Sequence, residues 1–203
     1  GELRRREQVL CIVNNRRHAK VLFDAISDTD GARHLTTLMC AQHRRQVLDD
    51  IRQRLQRGAP CRVVATSLIE AGVDVDFPTV LRTEAGLDSI AQAAGRCNRE
   101  GHRAREDSEV WVFSAPNWAP PPELKQFAQS FKAVARHHAD DLLGLDAVHA
   151  YFQDVYWRKG DELDFHGLLK LFNKCSRPEN MPFETVASLF RMIESNMQPI
   201  LIP

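Results

Sequence analysis

No C-x-x-C pair, no run of 18 apolar residues and no excess of either charge sign occurs in this chain. Each absence removes a class of protein. The five cysteines, Cys11, Cys40, Cys61, Cys97 and Cys175, are odd in number and lack metal-ligand spacing. Buried free thiols in a reducing compartment are expected, with no zinc site and no other bound metal. Without a long apolar run or a signal-peptide pattern, the expectation is a cytoplasmic protein with no membrane partner. No internal repeat is evident.

The balanced charge conceals an uneven distribution. Residues 1–105 hold 18 Lys+Arg against 13 Asp+Glu, and residues 106–203 hold 9 against 14. The first part is mildly basic, which suits a polyanion partner, and the second is not. Hydrophobic residues make up 43% of the chain, enough for a core, and 203 residues suit one domain with an appendage.

Short apolar runs at Val9–Val13, Leu35–Met39, Arg62–Thr66, Val80–Glu84 and Val110–Phe113 read as strands buried on both faces. Helical periodicity fills the intervals. Ala19, Leu22, Phe23 and Ile26 mark a helix over 16–27, capped by Asn14 or Asn15. Val47, Leu48, Ile51 and Leu55 mark another over 42–57, with Arg44, Arg45, Arg52, Arg54 and Arg57 on its other sides. Most such arginines form a solvated face. Arg44, at the helix start, is the one placed best for phosphate, because free N–H groups lie there too. Alternating strands and helices imply right-handed crossovers and a parallel α/β sheet.

Four prolines between Pro116 and Pro122 suggest a stiff linker and a domain boundary. The remainder, 123–203, reads as a helical accessory region and is expected to be incomplete. Its apolar stripes are Leu124/Phe127/Phe131/Val134, Leu145/Val148/Phe152/Val155/Tyr156, Phe165/Leu168/Leu169/Phe172 and Phe183/Val186/Ala187/Phe190/Ile193. Pro199–Pro203 is strand-like. His137 and Asp141 are four apart, but a polar helix end explains them better than a metal does.

The stretch that carries chemistry is Val63 to Phe77, followed by a helix expected over Leu87–Glu100. Glu70, Gly72 and Asp74 lie past the carboxyl end of a strand, the edge where open α/β sheets bind ligands. In the expected helix, Gln92, Gly95, Arg96 and Arg99 fall at i, i+3, i+4 and i+7, one stripe. Ile90, Ala91 and Ala94 lie off it and face a sheet.

Thr66-Ser-Leu-Ile-Glu-Ala-Gly-Val-Asp74 resembles motif V of superfamily 2 helicases, and Gln92-Ala-Ala-Gly-Arg-Cys-Asn-Arg99 resembles their motif VI. The wording of the two is most similar to the helicase–nuclease of type I CRISPR systems, over roughly residues 5–115. The resemblance implies a second RecA-like lobe. It implies Arg96 and Arg99 on the γ-phosphate of ATP, Gln92 orienting water or phosphate, and Gly72, Asp74 and Gly95 near the nucleotide. It implies Thr66, Ser67, Asn15 and Arg44 on single-stranded DNA. No G-x-x-x-x-G-K-[ST] occurs, so ATP and Mg2+ would be held mainly by a first lobe. The implied partners are that lobe, an upstream nuclease domain and an RNA-guided surveillance complex. Another superfamily 2 helicase, or a non-catalytic docking module, remain the alternative readings.

Overall fold

The computed structural model describes residues 1–175 and 177–190. Five strands form one sheet: β1 (Gln8–Val13), β2 (Ala32–Leu35), β3 (Cys61–Thr66), β4 (Thr79–Thr83) and β5 (Glu109–Phe113). Their order is β2-β3-β1-β4-β5 and every pairing is parallel. The expected RecA-like α/β sheet flanked by helices is therefore present.

Alternation along β1 assigns the two faces. Leu10 and Ile12 point to one core with Leu35, Val63, Ala65 and Val80, covered by α3 (Ala41–Gln56). Val9, Cys11 and Val13 point to the other, covered by α2 (Arg16–Asp24) through Ala19, Leu22 and Phe23. Right-handed crossovers force this division, because α2 precedes a step to one side of the sheet and α3 a step back. Each fully buried Leu, Ile or Val contributes about 1.5–3 kcal/mol of transfer free energy.

The second strand lies three residues earlier than expected. Gly31, at φ +71°, sits where any Cβ would collide with the backbone of Pro60, and its carbonyl accepts from Arg62 N. Pairing therefore begins at Ala32. Polar residues disguised the strand: Arg33 pairs with Asp50 at 2.6 Å, and His34 stacks on Phe23.

The helix expected over 87–100 is half that length. α4 spans Leu87–Ala94, and Gly95 caps it. Ile90 and Ala93 are its buried residues together with Leu87, and Ala91 is exposed, contrary to the expected inner face.

The proline-rich stretch is not where the chain divides. Gly1–Val155 forms one compact unit, and a second unit begins at Tyr156. Trp118 lies flat on His18, with ring centroids 4.9 Å apart and planes 2° from parallel, and Pro122 opens α5 (Pro122–Ala135). In α6 (Leu145–Lys159) the buried residues are Ala147, Tyr151 and Val155, while Leu145 is 87% exposed. These two helices share a third core with Leu87 and Ile90 of α4 and Val112 of β5. Tyr151 donates its hydroxyl to Asp88 Oδ1 at 2.8 Å in the first turn of α4. Burial and Asp88 both push that hydroxyl's pKa up, so it stays a donor.

The second unit contains α7 (Leu168–Asn173) and α8 (Phe183–Leu189). Phe165, Leu169, Phe183 and Phe190 are largely exposed, so the expected stripes do not bury as drawn. Ile193 and the run Pro199–Pro203 lie outside the described residues. A short α1 (Glu2–Arg5) precedes β1. All five cysteines are free thiols; Cys11 and Cys61 are buried and Cys40 is exposed.

Two outcomes are expected. Gly86→Ala places a methyl against the Tyr151 hydroxyl and the Asp88 carboxylate and onto the Phe127 side chain. It should lower stability by about 1–3 kcal/mol in urea titration, while Tyr151→Phe/Gly86→Ala recovers part of the loss. Burial lowers the pKa of His18 below the ordinary imidazole value of 6.5. The unfolded chain then binds the extra proton first, so stability falls as pH drops through 6.5. His18→Phe keeps the stack on Trp118 and should flatten that part of a pH–stability profile.

Candidate nucleotide and nucleic-acid site

The carboxyl ends of β1, β3 and β4 converge on one edge of the sheet. Val13 pairs with Thr66, and Ile12 with Arg82, so Asn14, Ser67 and Glu84 emerge side by side. Asn15 caps α2, its side chain accepting from Arg17 N at 2.8 Å. With Arg16, Arg17, Lys20, Leu38 and Pro121 it lines an open groove of about 580 Å³. Thr66 is buried, and Ser67 beyond it is exposed. Arg44 lies half-buried in the first turn of α3. Arg52 and Arg54 are committed elsewhere: Arg52 donates to the carbonyl of Asp74 at 3.1 Å, and Arg54 to that of Pro60 at the same distance. Three arginines of the expected α3 set are left, not five.

A second cluster joins the two motif-like stretches. Ser67–Ile69 form one 3-10 turn, and Gly72 turns the chain at φ +69°, a left-handed conformation that glycine adopts without strain. Past Gly95 the chain leaves the helix and runs beside Phe77. Phe77 N donates to the carbonyl of Arg96 at 2.9 Å, and Asn98 N to the carbonyl of Phe77 at 3.1 Å. Gln92, Gly95, Arg96 and Arg99 therefore do not share a helical stripe, because only Gln92 lies within the helix: Gly95 caps it and the two arginines lie beyond. Gln92 and Gly95 are exposed at its end.

The two arginines differ in environment. Arg96 is buried at 7% exposure and donates to the carbonyls of Ile69 at 3.0 Å and Glu70 at 2.6 Å. Burial, and the neighbouring charge of Arg99, lower its pKa from the usual guanidinium value. Arg99 keeps its side chain 40% exposed and meets Asp74 Oδ1 at 2.7 Å. Its backbone N–H donates to Asp76 Oδ1 at 2.7 Å, and Asp76 also binds Arg103 at 2.8 Å. One arginine is thus tied to the preceding motif through main chain, and the other is offered outward beside an exposed carboxylate.

Beneath both clusters lies a pair that sequence reading did not find. Arg82 Nε meets Glu70 Oε1 at 2.7 Å, the two side chains 1% and 5% exposed. Arg82 Nη1 donates to Asn14 Oδ1 at 2.7 Å and to Thr83 Oγ1 at 2.9 Å. Burial pushes the Glu70 carboxyl up, and Arg82 opposes that. The available signal was a lone Arg inside the apolar run Val80-Leu-Arg-Thr-Glu84, since a charge in a strand buried on both faces requires a partner. Among the described residues, no group of three His, Cys, Asp or Glu side chains converges to hold a metal ion, His137 and Asp141 included. No described helix is long and apolar enough to cross a membrane.

Residues 5–102 match a family described as CRISPR-associated nuclease/helicase Cas3, C-terminal. A Haloferax volcanii protein named CRISPR-associated nuclease/helicase Cas3 is 45% identical over 60 residues, 29% of this chain and 6% of that protein. A Methanothermobacter thermautotrophicus protein of the same name is 23% identical over 186 residues, 90% of this chain and 21% of that one. Among solved structures, T. fusca Cas3 with ATP superposes with a TM-score of 0.56 at 20% identity, over 85% of this chain and 22% of that chain. A chain of a CRISPR RNA-guided surveillance complex, in a pre-nicking state, does so at 0.53 and 18%, over 82% of this chain and 23% of that one. This chain spans about a fifth or less of these relatives.

Proposed function

We propose that this chain, a second RecA-like helicase lobe of the superfamily 2 type and most like that of Cas3, is half of an ATP-driven motor acting on single-stranded DNA. The observation that carries the proposal is the contrast between Arg96 and Arg99. Phosphoryl transfer spreads negative charge over the equatorial oxygens, and a positioned guanidinium from across a cleft can speed it by roughly 10³–10⁵. Arg99 has the properties of such a group: it is partly exposed, held from behind by its own N–H on Asp76, and paired at its Nε with the exposed carboxylates of Asp74 at 2.7 Å and, more loosely, Glu100 at 4.0 Å. Arg96 holds the loop in register by its bonds to Ile69 and Glu70 and stands beside Arg99 toward the γ-phosphate.

Gln92 orients water or phosphate, and Gly72, Asp74 and Gly95 line the nucleotide side. The sequence holds no G-x-x-x-x-G-K-[ST] run, and among the described residues no three His, Cys, Asp or Glu side chains converge; in this reading ATP and Mg2+ are held mainly by the first lobe. That ATP is the nucleotide is supported by the solved Cas3 structures described with ATP and AMPPNP. DNA crosses the carboxyl edge, over Ser67, Thr66, Asn15 and Arg44. The groove carrying Arg16, Arg17 and Lys20 supplies the positive charge. A histidine–aspartate nuclease domain cuts what the motor draws in, and an RNA-guided surveillance complex recruits it to foreign DNA. The cytoplasm is where both would meet.

The test is ATP hydrolysis by this chain alone and with a Walker-A-bearing first lobe, each with and without single-stranded DNA. The chain alone should be inert and the assembly active. Arg99→Ala should reduce DNA-stimulated turnover about 10³-fold while nucleotide affinity changes little. Turnover near that of the unmodified assembly would remove Arg99 from the reaction. Thr66→Ala/Ser67→Ala should weaken binding of a labelled oligonucleotide roughly fivefold, the worth of about 1 kcal/mol of hydrogen bonding, and leave nucleotide binding intact. An unchanged dissociation constant would place the strand elsewhere.

A further inference from the structure

The buried Arg82–Glu70 pair spans the distance between the two clusters of the site. On its outer side, Arg82 Nη1 binds Asn14 Oδ1, and Asn14 Nδ2 donates to the carbonyl of Glu84 at 2.8 Å. Asn14 ends β1, at the edge where Asn15 and Ser67 emerge. On its inner side, Glu70 carries one of the three carbonyls that accept from the Arg96 guanidinium, with those of Ile69 and Gly95. Side chain and main chain of a single residue thus face opposite parts of the site. A rigid guanidinium fork reaches two partners at once, which an ammonium cannot do in fixed geometry. The main-chain hydrogen bonds of the loop this arrangement serves are Glu70 N to Ser67 O on one side, and Arg96 N to Ala93 O, Cys97 N to Ala94 O, Phe77 N to Arg96 O and Asn98 N to Phe77 O on the other, and none of them joins the Glu70 segment to the Arg96 segment.

We infer that Arg82 is a positioning residue that transmits the state of the Asn14 edge, through Glu70, to the carbonyls that hold Arg96. This rests on the helicase reading for its functional meaning, though not for its physical content. Contact of a polyanion with the strand edge displaces Asn14, frees one arm of the fork and loosens Glu70. The orientation of Arg96, and with it the loop bearing Arg99, follows. The pair touches no nucleotide and acts only through Arg96.

Two measurements separate the link from the reading it serves. The first uses this chain alone and amide hydrogen exchange. Arg82→Lys keeps the charge and loses the fork; it should speed exchange about tenfold at Glu70, Arg96, Cys97 and Asn98, with α2 and α3 unchanged. Asn14→Ala, at the half-buried outer end, should speed the same amides to a smaller degree, and it serves alone if the lysine variant does not fold. Unchanged exchange at Arg96–Asn98 in a folded variant overturns the link. The second uses the assembly with a first lobe. Arg82→Lys should lower the ratio of DNA-stimulated to basal ATP hydrolysis about fivefold or more while the basal rate stays within about twofold. A full stimulation ratio in a folded Arg82→Lys assembly also overturns the link. If exchange responds as expected but the unmodified assembly shows no stimulation by DNA, the link stands and the helicase reading falls.

Discussion

Moving a guanidinium and a carboxylate into the interior costs several kcal/mol per ion, and only close geometry with further hydrogen bonds offsets that cost. The Arg82–Glu70 pair meets the condition at 2.7 Å, with Asn14 and Thr83 taking part of the remaining donor capacity. This constraint organises more of the molecule than any apolar contact does. It fixes the end of β1 against the centre of β4. It also fixes where the chain after β3 must run, because Glu70 cannot leave without stranding a buried cation, at about 3–5 kcal/mol. An apolar pair of equal volume would give similar stability and no such directional demand.

The topology then decides which residues can meet at the edge. With β1 central in the sheet and β3 and β4 at its sides, three strand ends deliver Asn14, Ser67 and Glu84 to one place. The helical segment after residue 122 belongs to the same unit, as the shared core of Ile90, Phe131 and Tyr151 makes plain. Tyr151 reaches the first turn of α4, the helix that leads into Arg96. Those helices therefore brace α4, the element that leads into the arginine loop, at its first turn. The strap of prolines reads as a linker only until Trp118 is seen flat against His18.

Much of the fold was legible in the sequence because its strands are buried on both faces, and such strands are written as apolar runs. β2 was not, because Arg33 spends its charge on Asp50 and His34 lays its ring on Phe23, so polar residues stand where an apolar run would mark a strand. The helix ending at Ala94 was misjudged for a different reason. The spacing of Gln92, Arg96 and Arg99 fits a helical stripe, and Gly95 was counted within it although glycine is also the commonest helix stop. Motif wording is what singles out the candidate site residues. Their geometry was not, since it depends on hydrogen bonds to main-chain carbonyls that no side-chain pattern encodes.

Two arginines three residues apart would be interchangeable on a solvated surface, and here they are not. Holding the Arg96 guanidinium with three carbonyls costs side-chain entropy, about 1.5–2 kcal/mol for arginine, and that cost is met during folding of this lobe. Arg96 therefore arrives at any ligand already ordered, and orders the backbone that leads to Arg99. Arg99 retains freedom at its tip, with two exposed carboxylates, Asp74 close and Glu100 at 4.0 Å, to exchange for a stronger anion. A phosphate that replaces Asp74 gains a charge-assisted contact without reorganising the loop beneath. That division of labour, one cation fixed and one exchangeable, is what the proposed motor reading requires of two arginines that meet a nucleotide from across a cleft. It also explains why the fixed member is the one connected, through Glu70 and Arg82, to the opposite edge of the site.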